Sequence, residues 1–282
     1  MTDPVHIIGA SGRSGLALTR SLHADGIPLT AIVRSPAKWS VSGLQAEVRQ
    51  ADLTDLDALR TALTGATRVV SCAHARHTAA IIAAAPPAAV LVLLGSTRKF
   101  TRWPDAHGNG VLAGEAALLS SARSGVMLHP TMIYGAQGED NVQRLAKLLR
   151  SLPILPLPTG GRFLVQPIHQ SDVVRCVRTA LERHWDGPNS VVIAGPQAVQ
   201  YADFAASVAR AAHLRTPIIV AFPAAPLILA ARVARHIPGL PTVQPQEIRR
   251  LMEDKAFDIT PMRTILGVDP LPLEKGLALT FM

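Results

Sequence analysis

The stretch Val5-His6-Ile7-Ile8-Gly9-Ala10-Ser11-Gly12-Arg13-Ser14-Gly15-Leu16 decides how this chain is read. An apolar run leads into three glycines, and leucines at 16, 18 and 22 follow. Strand, glycine turn and helix is the reading. The first Gly permits a tight turn, the second lets backbone approach a pyrophosphate, and the third lets helix pack on strand. The helix N-terminus then turns free N–H groups and a positive dipole end toward phosphate. A glycine pattern gains weight from lying between a strand and a helix. It predicts a dinucleotide site at Gly9, Ser11, Gly12, Arg13, Ser14 and Gly15. The competing reading is a purely structural strand–helix turn.

Downstream the alternation continues. A second strand at 28–33 ends in Arg34, and no acid stands at 33–36. An acid there would take the two ribose hydroxyls of NAD, whereas an arginine pairs with the 2′-phosphate of NADP. NADP(H) is therefore favoured over NAD(H), with Arg13 as a second guanidinium; alternatively Arg34 is a solvated strand end. A third strand at 47–50 leads to Asp52 and Leu53. Asp52 is placed to accept from the adenine amino group, or else to cap the following helix at 55–63. A fourth strand at 68–71 runs into Cys72-Ala73-His74, and Ala73 and His74 join the cofactor set. His74 and His77 have a metal-like spacing, but no acid or thiol completes a site, so no metal is expected.

The apolar run 88–94 reads as a central parallel strand buried on both faces. It ends in Gly95-Ser96-Thr97, which puts two hydroxyls where an open α/β sheet places its chemistry. A helix at 112–123 and a sixth strand at 126–128 follow, ending in His129-Pro130-Thr131. These elements imply an α/β fold, a doubly wound parallel sheet in the order 3-2-1-4-5-6. Residues 1–150 form its NAD(P)-binding Rossmann domain. Pro153, Pro156, Pro158, Gly160 and Gly161 then break the pattern. Shorter elements follow: a strand near 163–167, a helix at 172–183, a strand at 191–194 and a helix at 201–212. Residues 151–282 read as a smaller substrate lobe, interleaved with the first part into one compact unit.

Composition narrows the options. The 282 residues are 48% hydrophobic and 17% charged, as in a globular protein. Net charge is +8, with 5 lysines and 23 arginines scattered along the chain. Without basic runs or interleaved aromatics, nucleic acid is not an expected partner. Cys72 and Cys176 read as reduced, buried thiols of a cytoplasmic protein, and no targeting segment precedes the first strand. The most apolar run, 218–231, is too short to span a bilayer and holds Pro223 and Pro226. Core packing is the expectation. The other reading is an interfacial patch beside Arg232, Arg235 and His236.

Several motifs together resemble the extended short-chain dehydrogenase/reductase superfamily, in its NAD-dependent epimerase/dehydratase and atypical NmrA-like branches. Gly9-Ala10-Ser11-Gly12-Arg13-Ser14-Gly15 fits its GxxGxxG, and Ala51-Asp52-Leu53 its adenine-side Asp motif. His129-Pro130-Thr131-Met132-Ile133-Tyr134-Gly135 resembles the Arg-Pro-x-x-x-Tyr-Gly stretch beside the nicotinamide, with His in place of Arg. Pro167-Ile168-His169-Gln170-Ser171-Asp172-Val173-Val174 resembles the Val-His-x-x-Asp-Val segment. Glu253-Asp254-Lys255-Ala256-Phe257-Asp258-Ile259, then Leu266-Gly267-Val268, resembles the tail of nucleotide-sugar epimerases. The resemblance implies Pro130 and Thr131 beside the cofactor.

The departure lies at the family's Tyr-x-x-x-Lys dyad. Aligned on Glu115, the Tyr position is His107 and the Lys position is Val111. Two functions follow. One is an NADP(H)-dependent oxidoreductase or epimerase on a nucleotide-sugar-like or other small carbonyl substrate. His107 would then be the acid, with Ser96 and Thr97 orienting the oxygen and Lys99 as a second acid or ribose holder. Alternatively His107 is a surface loop residue. The other function is a non-catalytic NADP(H)-binding sensor or assembly protein. Arg144, Arg150 and Arg162 are candidates to meet an anionic substrate, or are solvated surface charges. An exposed 218–231 run would make a lipid-linked sugar a plausible substrate.

Overall fold

The computed structural model describes residues 3–136, 140–152, 154–234 and 244–282. Pro153, Arg235 and His236, which entered the sequence reading, lie outside these residues. The centre is a parallel sheet of β1 (Val5–Ile8), β2 (Leu29–Val33), β3 (Glu47–Gln50), β4 (Arg68–Ser71), β5 (Val90–Leu94) and β6 (Gly125–Pro130). They lie in the order β3-β2-β1-β4-β5-β6, as the alternation implied. A seventh strand, Pro188–Ile193, adds parallel to β6 at the far edge. The 191–194 expectation thus began too late and gave this strand no place in the sheet. Its first half, Pro188-Asn189-Ser190, is polar edge sequence that carries no strand signal.

Helices cover both faces, so β1, β2 and β6 bury every residue. On one face α1 (Arg13–Ala24) supplies Leu18 and Leu22, and helix Gln170–Glu182 supplies Val173, Cys176, Val177 and Ala180. On the other, Leu59, Ile81, Val111 and Leu118 meet Ile8, Leu91, Leu93 and Met127. A third core lies beyond the sheet, built from Tyr134, Val142, Leu149, Leu155, Phe204, Val208 and Leu277. The two buried or half-buried thiols are free, and burial pushes each up to about 12.

Other expectations are corrected in detail. The 112–123 helix is Ala106–Leu119, and His107 is therefore helical rather than in a loop. Its start was hidden by Gly108 and Gly110; what fixes it is Asp105, which accepts from the Gly108 N–H at 2.8 Å. The 163–167 strand is two separate pairs: Leu164–Val165 antiparallel to Val199–Gln200, and Ile168–His169 parallel to Ile133–Tyr134. The 218–231 run is not core. It forms strand Ile218–Ala221 and helix Ala224–Ala234, with Ile218, Val220, Phe222 and Leu229 exposed.

Asp172, in the first turn of helix Gln170–Glu182, is fully buried. Its Oδ1 accepts from Arg175 at 2.5 Å and its Oδ2 from the Leu271 N–H at 2.9 Å, tying the C-terminal segment to the sheet face. Asp172→Ala leaves the Leu271 N–H without its acceptor, while Arg175 keeps the Asp269 carbonyl at 2.7 Å, and should cost about 1–3 kcal/mol. Urea unfolding checks this, with the midpoint expected to fall.

Candidate functional site

Because every strand of the main sheet runs parallel, their C-terminal ends share one edge. That edge gathers Gly9 after β1, Arg34 after β2, Asp52 after β3, Ala73 and His74 after β4, and Ser96 and Thr97 after β5. At the end of β6 stand Pro130 and Thr131. The chain reverses its direction of winding between β1 and β4, which opens a crevice there. Gly9, at φ +76°, closes the turn against the neighbouring β4 loop: a Cβ on it would lie 3.3 Å from the Ala73 nitrogen. A Cβ on Gly15 would lie 2.1 Å from the Gly9 carbonyl oxygen, so α1 seats directly on the turn. The Gly12 N-cap of α1 has no side-chain cap, and no acid occupies the first turn. Its leading N–H groups can therefore meet a ligand phosphate.

Around this loop the candidate residues differ in their freedom. Arg34 is exposed and makes no salt bridge among the described residues. Arg13 pairs with Asp140 at 3.1 Å, both half exposed. Asp52 accepts from the Thr54 N–H at 2.9 Å and hydroxyl at 2.7 Å, bonds that hold its carboxyl below the usual range. The following helix, Leu56–Ala62, is capped by Asp55 instead. Thr131 is buried and donates its hydroxyl to the Gln166 carbonyl. Thr97 likewise donates to the Pro130 carbonyl at 3.2 Å. Among the described residues the Ser96 oxygen accepts from the Arg98 N–H at 3.1 Å and its hydroxyl has no acceptor, so its proton can meet a ligand.

Helix Ala106–Leu119 lies close against the turn after β4, because a Cβ on Gly114 would meet the Ala75 carbonyl at 2.0 Å. This brings His107 onto His74, edge to face, with ring centroids 4.3 Å apart. His74 Nδ1 accepts from the Arg76 N–H, so its proton sits on Nε2. Burial, then neighbouring positive charge, pushes His74 down to about 4 and lowers His107 as well. Both rings are thus neutral at pH 7. The buried His107 Nδ1 has no hydrogen-bond partner among the described residues. Val111, one turn on, is buried in the core.

Sequence reasoning missed a buried polar network beside Ser96. Lys99 Nζ lies 2.5 Å from Glu115 Oε1, and Glu115 lies 3.1 Å from His129 Nε2. Ser190, from the seventh strand, donates to Glu115 and lies 3.1 Å from the same imidazole nitrogen. The Ser96 N–H donates to His129 Nδ1 at 3.2 Å, which leaves the proton on Nε2 to face Glu115. Burial alone would raise the Glu115 carboxyl, but hydrogen bonds from Lys99 and Ser190 outweigh it and hold it low. Lys99 is therefore committed to Glu115. The available signal was His129 itself: an imidazole ending an apolar strand needs partners. Gly95 leaves it room.

Opposite His107, the C-terminal segment adds cations. Glu253 is buried and accepts from the Thr101 hydroxyl at 2.8 Å and the Arg102 N–H at 2.7 Å. Arg250 and Lys255 feel the charges of both Glu253 and Arg98, and Arg98 and Arg250 both act on His107. Burial pushes Lys255 down to about 8. Arg144 instead pairs with Glu247, and Arg150 and Arg162 are exposed.

Residues 9–113 match a family described as NAD(P)H-binding. The match runs from the glycine turn after β1 into helix Ala106–Leu119. The chain shares its fold with a Citrobacter sp. triphenylmethane reductase (TM-score 0.77, 15% identity, 99% of each chain). It is also similar in fold to a Bacillus cereus UDP-glucuronic acid 4-epimerase solved with UDP-glucuronic acid and NAD (TM-score 0.74, 14% identity, 99% of this chain and 98% of that one). An Escherichia coli NADPH-dependent quinone oxidoreductase bound to NADPH gives a TM-score of 0.73 at 20% identity, over 99% of this chain and 100% of that one. Uncharacterised proteins of Mycobacterium tuberculosis and Mycobacterium bovis are 31% identical over 211 residues. That stretch is 73% of this chain but 23% of those proteins, so the chain spans about a quarter of their length. The residues after β1 and β4 fit a dinucleotide: an uncapped helix start, a glycine turn and a close Ala73 backbone.

His129 couples the network to pH. Burial, with Lys99 adding, pushes its imidazole down to about 4 from 6.5, while the unfolded chain protonates at the ordinary value. The unfolded state therefore binds more protons between these values, so stability is full above about pH 6.5 and is lost as pH falls toward 4. His74 contributes with the same sign. Urea midpoints should fall from pH 7 to 5. His129→Gln should show a lower midpoint at pH 7 and a shallower fall.

Proposed function

We propose that the protein is an NADP(H)-dependent oxidoreductase acting on a small carbonyl compound that carries an anionic group, nucleotide sugars among them. The observation that supports this best is the unpartnered, buried His107 Nδ1. It lies against His74 of the β4 loop and within the field of Arg98 and Arg250. A buried polar atom without a partner calls for a functional reason, and a site beside the crevice and its cationic rim supplies one. The nicotinamide supplies the hydride when bound. Arg34 takes the 2′-phosphate; Gly9, Gly12 and the start of α1 take the pyrophosphate. Ser96 keeps a hydroxyl proton for the carbonyl oxygen, and the Lys99–Glu115–His129 network holds the Ser96 N–H in place. His107, as imidazolium, delivers the proton to the developing alkoxide. Arg250 and Lys255 attract the anionic end of the substrate.

The sensor reading rests on a different observation. Val111 is buried where the dyad lysine would stand, and Lys99 is spent on Glu115. Transfer of deuteride from labelled NADPH to a panel of 4-keto nucleotide sugars and simple quinones separates the two. Transfer to at least one acceptor is expected; none across the panel sinks the enzyme reading.

Two outcomes follow from the residues. In titrations followed by NADPH fluorescence, NADPH should bind more tightly than NADH. Arg34→Glu should weaken NADPH by roughly tenfold to a hundredfold, the loss of a charge-assisted contact, and leave NADH nearly unchanged. Equal affinities in the native protein would remove Arg34 from the phosphate site. Because His107 titrates below its ordinary 6.5, carbonyl reduction should accelerate as pH falls from 7 to 5. His107→Phe should slow it about a hundredfold and flatten the profile.

A further inference from the structure

Residues 216–231 carry no charged side chain, yet they lie on the surface. Strand Ile218–Ala221 pairs parallel with Ile154–Leu157, setting Ile218 beside Ile154 and Val220 beside Pro156. Leu155, Leu157 and Ile219 face the core. The alternate positions of a surface ribbon are ordinarily polar. Here they are Ile154, at 50% exposure, Ile218, at 63%, and Val220. The chain continues through exposed Phe222 and Pro223 into helix Ala224–Ala234, where Leu229 is 62% exposed. An apolar surface of this kind marks an interaction site.

Its charge surroundings indicate the partner. Arg215 and Arg232, both exposed, bound the segment at its two ends. Helix Asn141–Ser151, which leads into the Ile154 strand, exposes Lys147 and Arg150. No Asp or Glu occurs at 141–157 or 213–232, and the whole chain has net charge +8. A second copy of this surface would set arginine against arginine. A bilayer with anionic headgroups instead complements both parts: aliphatic side chains enter the headgroup–acyl boundary and cations reach the phosphates. No helix among the described residues is long and apolar enough to cross a membrane, so the contact is peripheral.

We propose that the Ile154/Ile218/Phe222/Leu229 surface, with its arginine flanks, docks the protein onto anionic membranes. This is independent of the catalytic reading. Flotation of the 282-residue chain with vesicles tests it, comparing phosphatidylcholine alone with an equal mixture of phosphatidylcholine and phosphatidylglycerol. Binding is expected to the mixture and not to phosphatidylcholine alone, and to weaken at about 0.5 M salt. Ile218→Ser/Leu229→Ser and Arg215→Glu/Arg232→Glu should each lower the bound fraction about tenfold, while NADPH binding is retained. Val41→Ser, at an exposed residue elsewhere, should not change it. Three results would overturn the proposal: no binding to either vesicle, equal binding to both, or a dimer in sedimentation that the double serine variant dissociates.

Discussion

The contact between Gly15 and the Gly9 carbonyl is the constraint on which the site depends. With a Cβ–oxygen distance of 2.1 Å for any larger residue, α1 can sit on the β1 turn only with glycine there. That seat aims an uncapped helix start over the C-terminal edge of the sheet. It also sets α1 against helix Gln170–Glu182, whose cysteine, valines and alanine complete the same core. A loosened turn would lose this seat for the helix start and one face of the sheet together.

A second close approach orders the side chains beside the turns after β4 and β5. Gly114 lets helix Ala106–Leu119 settle on the turn after β4, and this places His107 on His74. The same helix carries Glu115 under Lys99, His129 and Ser190. A buried lysine, carboxylate and imidazole are costly unless each finds partners. Here each does, and the Ser96 N–H completes the set. The loop after β5 is thereby fixed from below, and the hydroxyl of Ser96 is left to face outward chemistry.

The fold was legible where period and context agreed. The apolar runs of β1, β2, β4 and β5, divided by helical segments, carried the winding order of six strands. The glycine motif located the turn on which α1 sits. What escaped had physical reasons. The Pro188–Ile193 strand enters at the sheet edge with polar residues, so its pattern does not alternate. Helix Ala106–Leu119 begins with two glycines because close packing demands them, against helix propensity. The Lys99–Glu115–His129–Ser190 network joins residues distant in sequence, and no spacing reveals it. The 218–231 run was read as core because apolar composition ordinarily means burial; its exposure reflects a surface that the isolated chain leaves uncovered.

The central claim is that a nicotinamide dinucleotide occupies the crevice between β1 and β4. A separate groove of about 710 Å³ runs between α1 and helix Gln170–Glu182, lined by Arg20, Ser21, Arg175 and Arg178. Amide hydrogen exchange with and without saturating NADPH distinguishes the two places. The account predicts slowed exchange at residues 9–16, 73–74 and 95–97. Unchanged exchange there, or protection confined to 20–21 and 175–179, would contradict it.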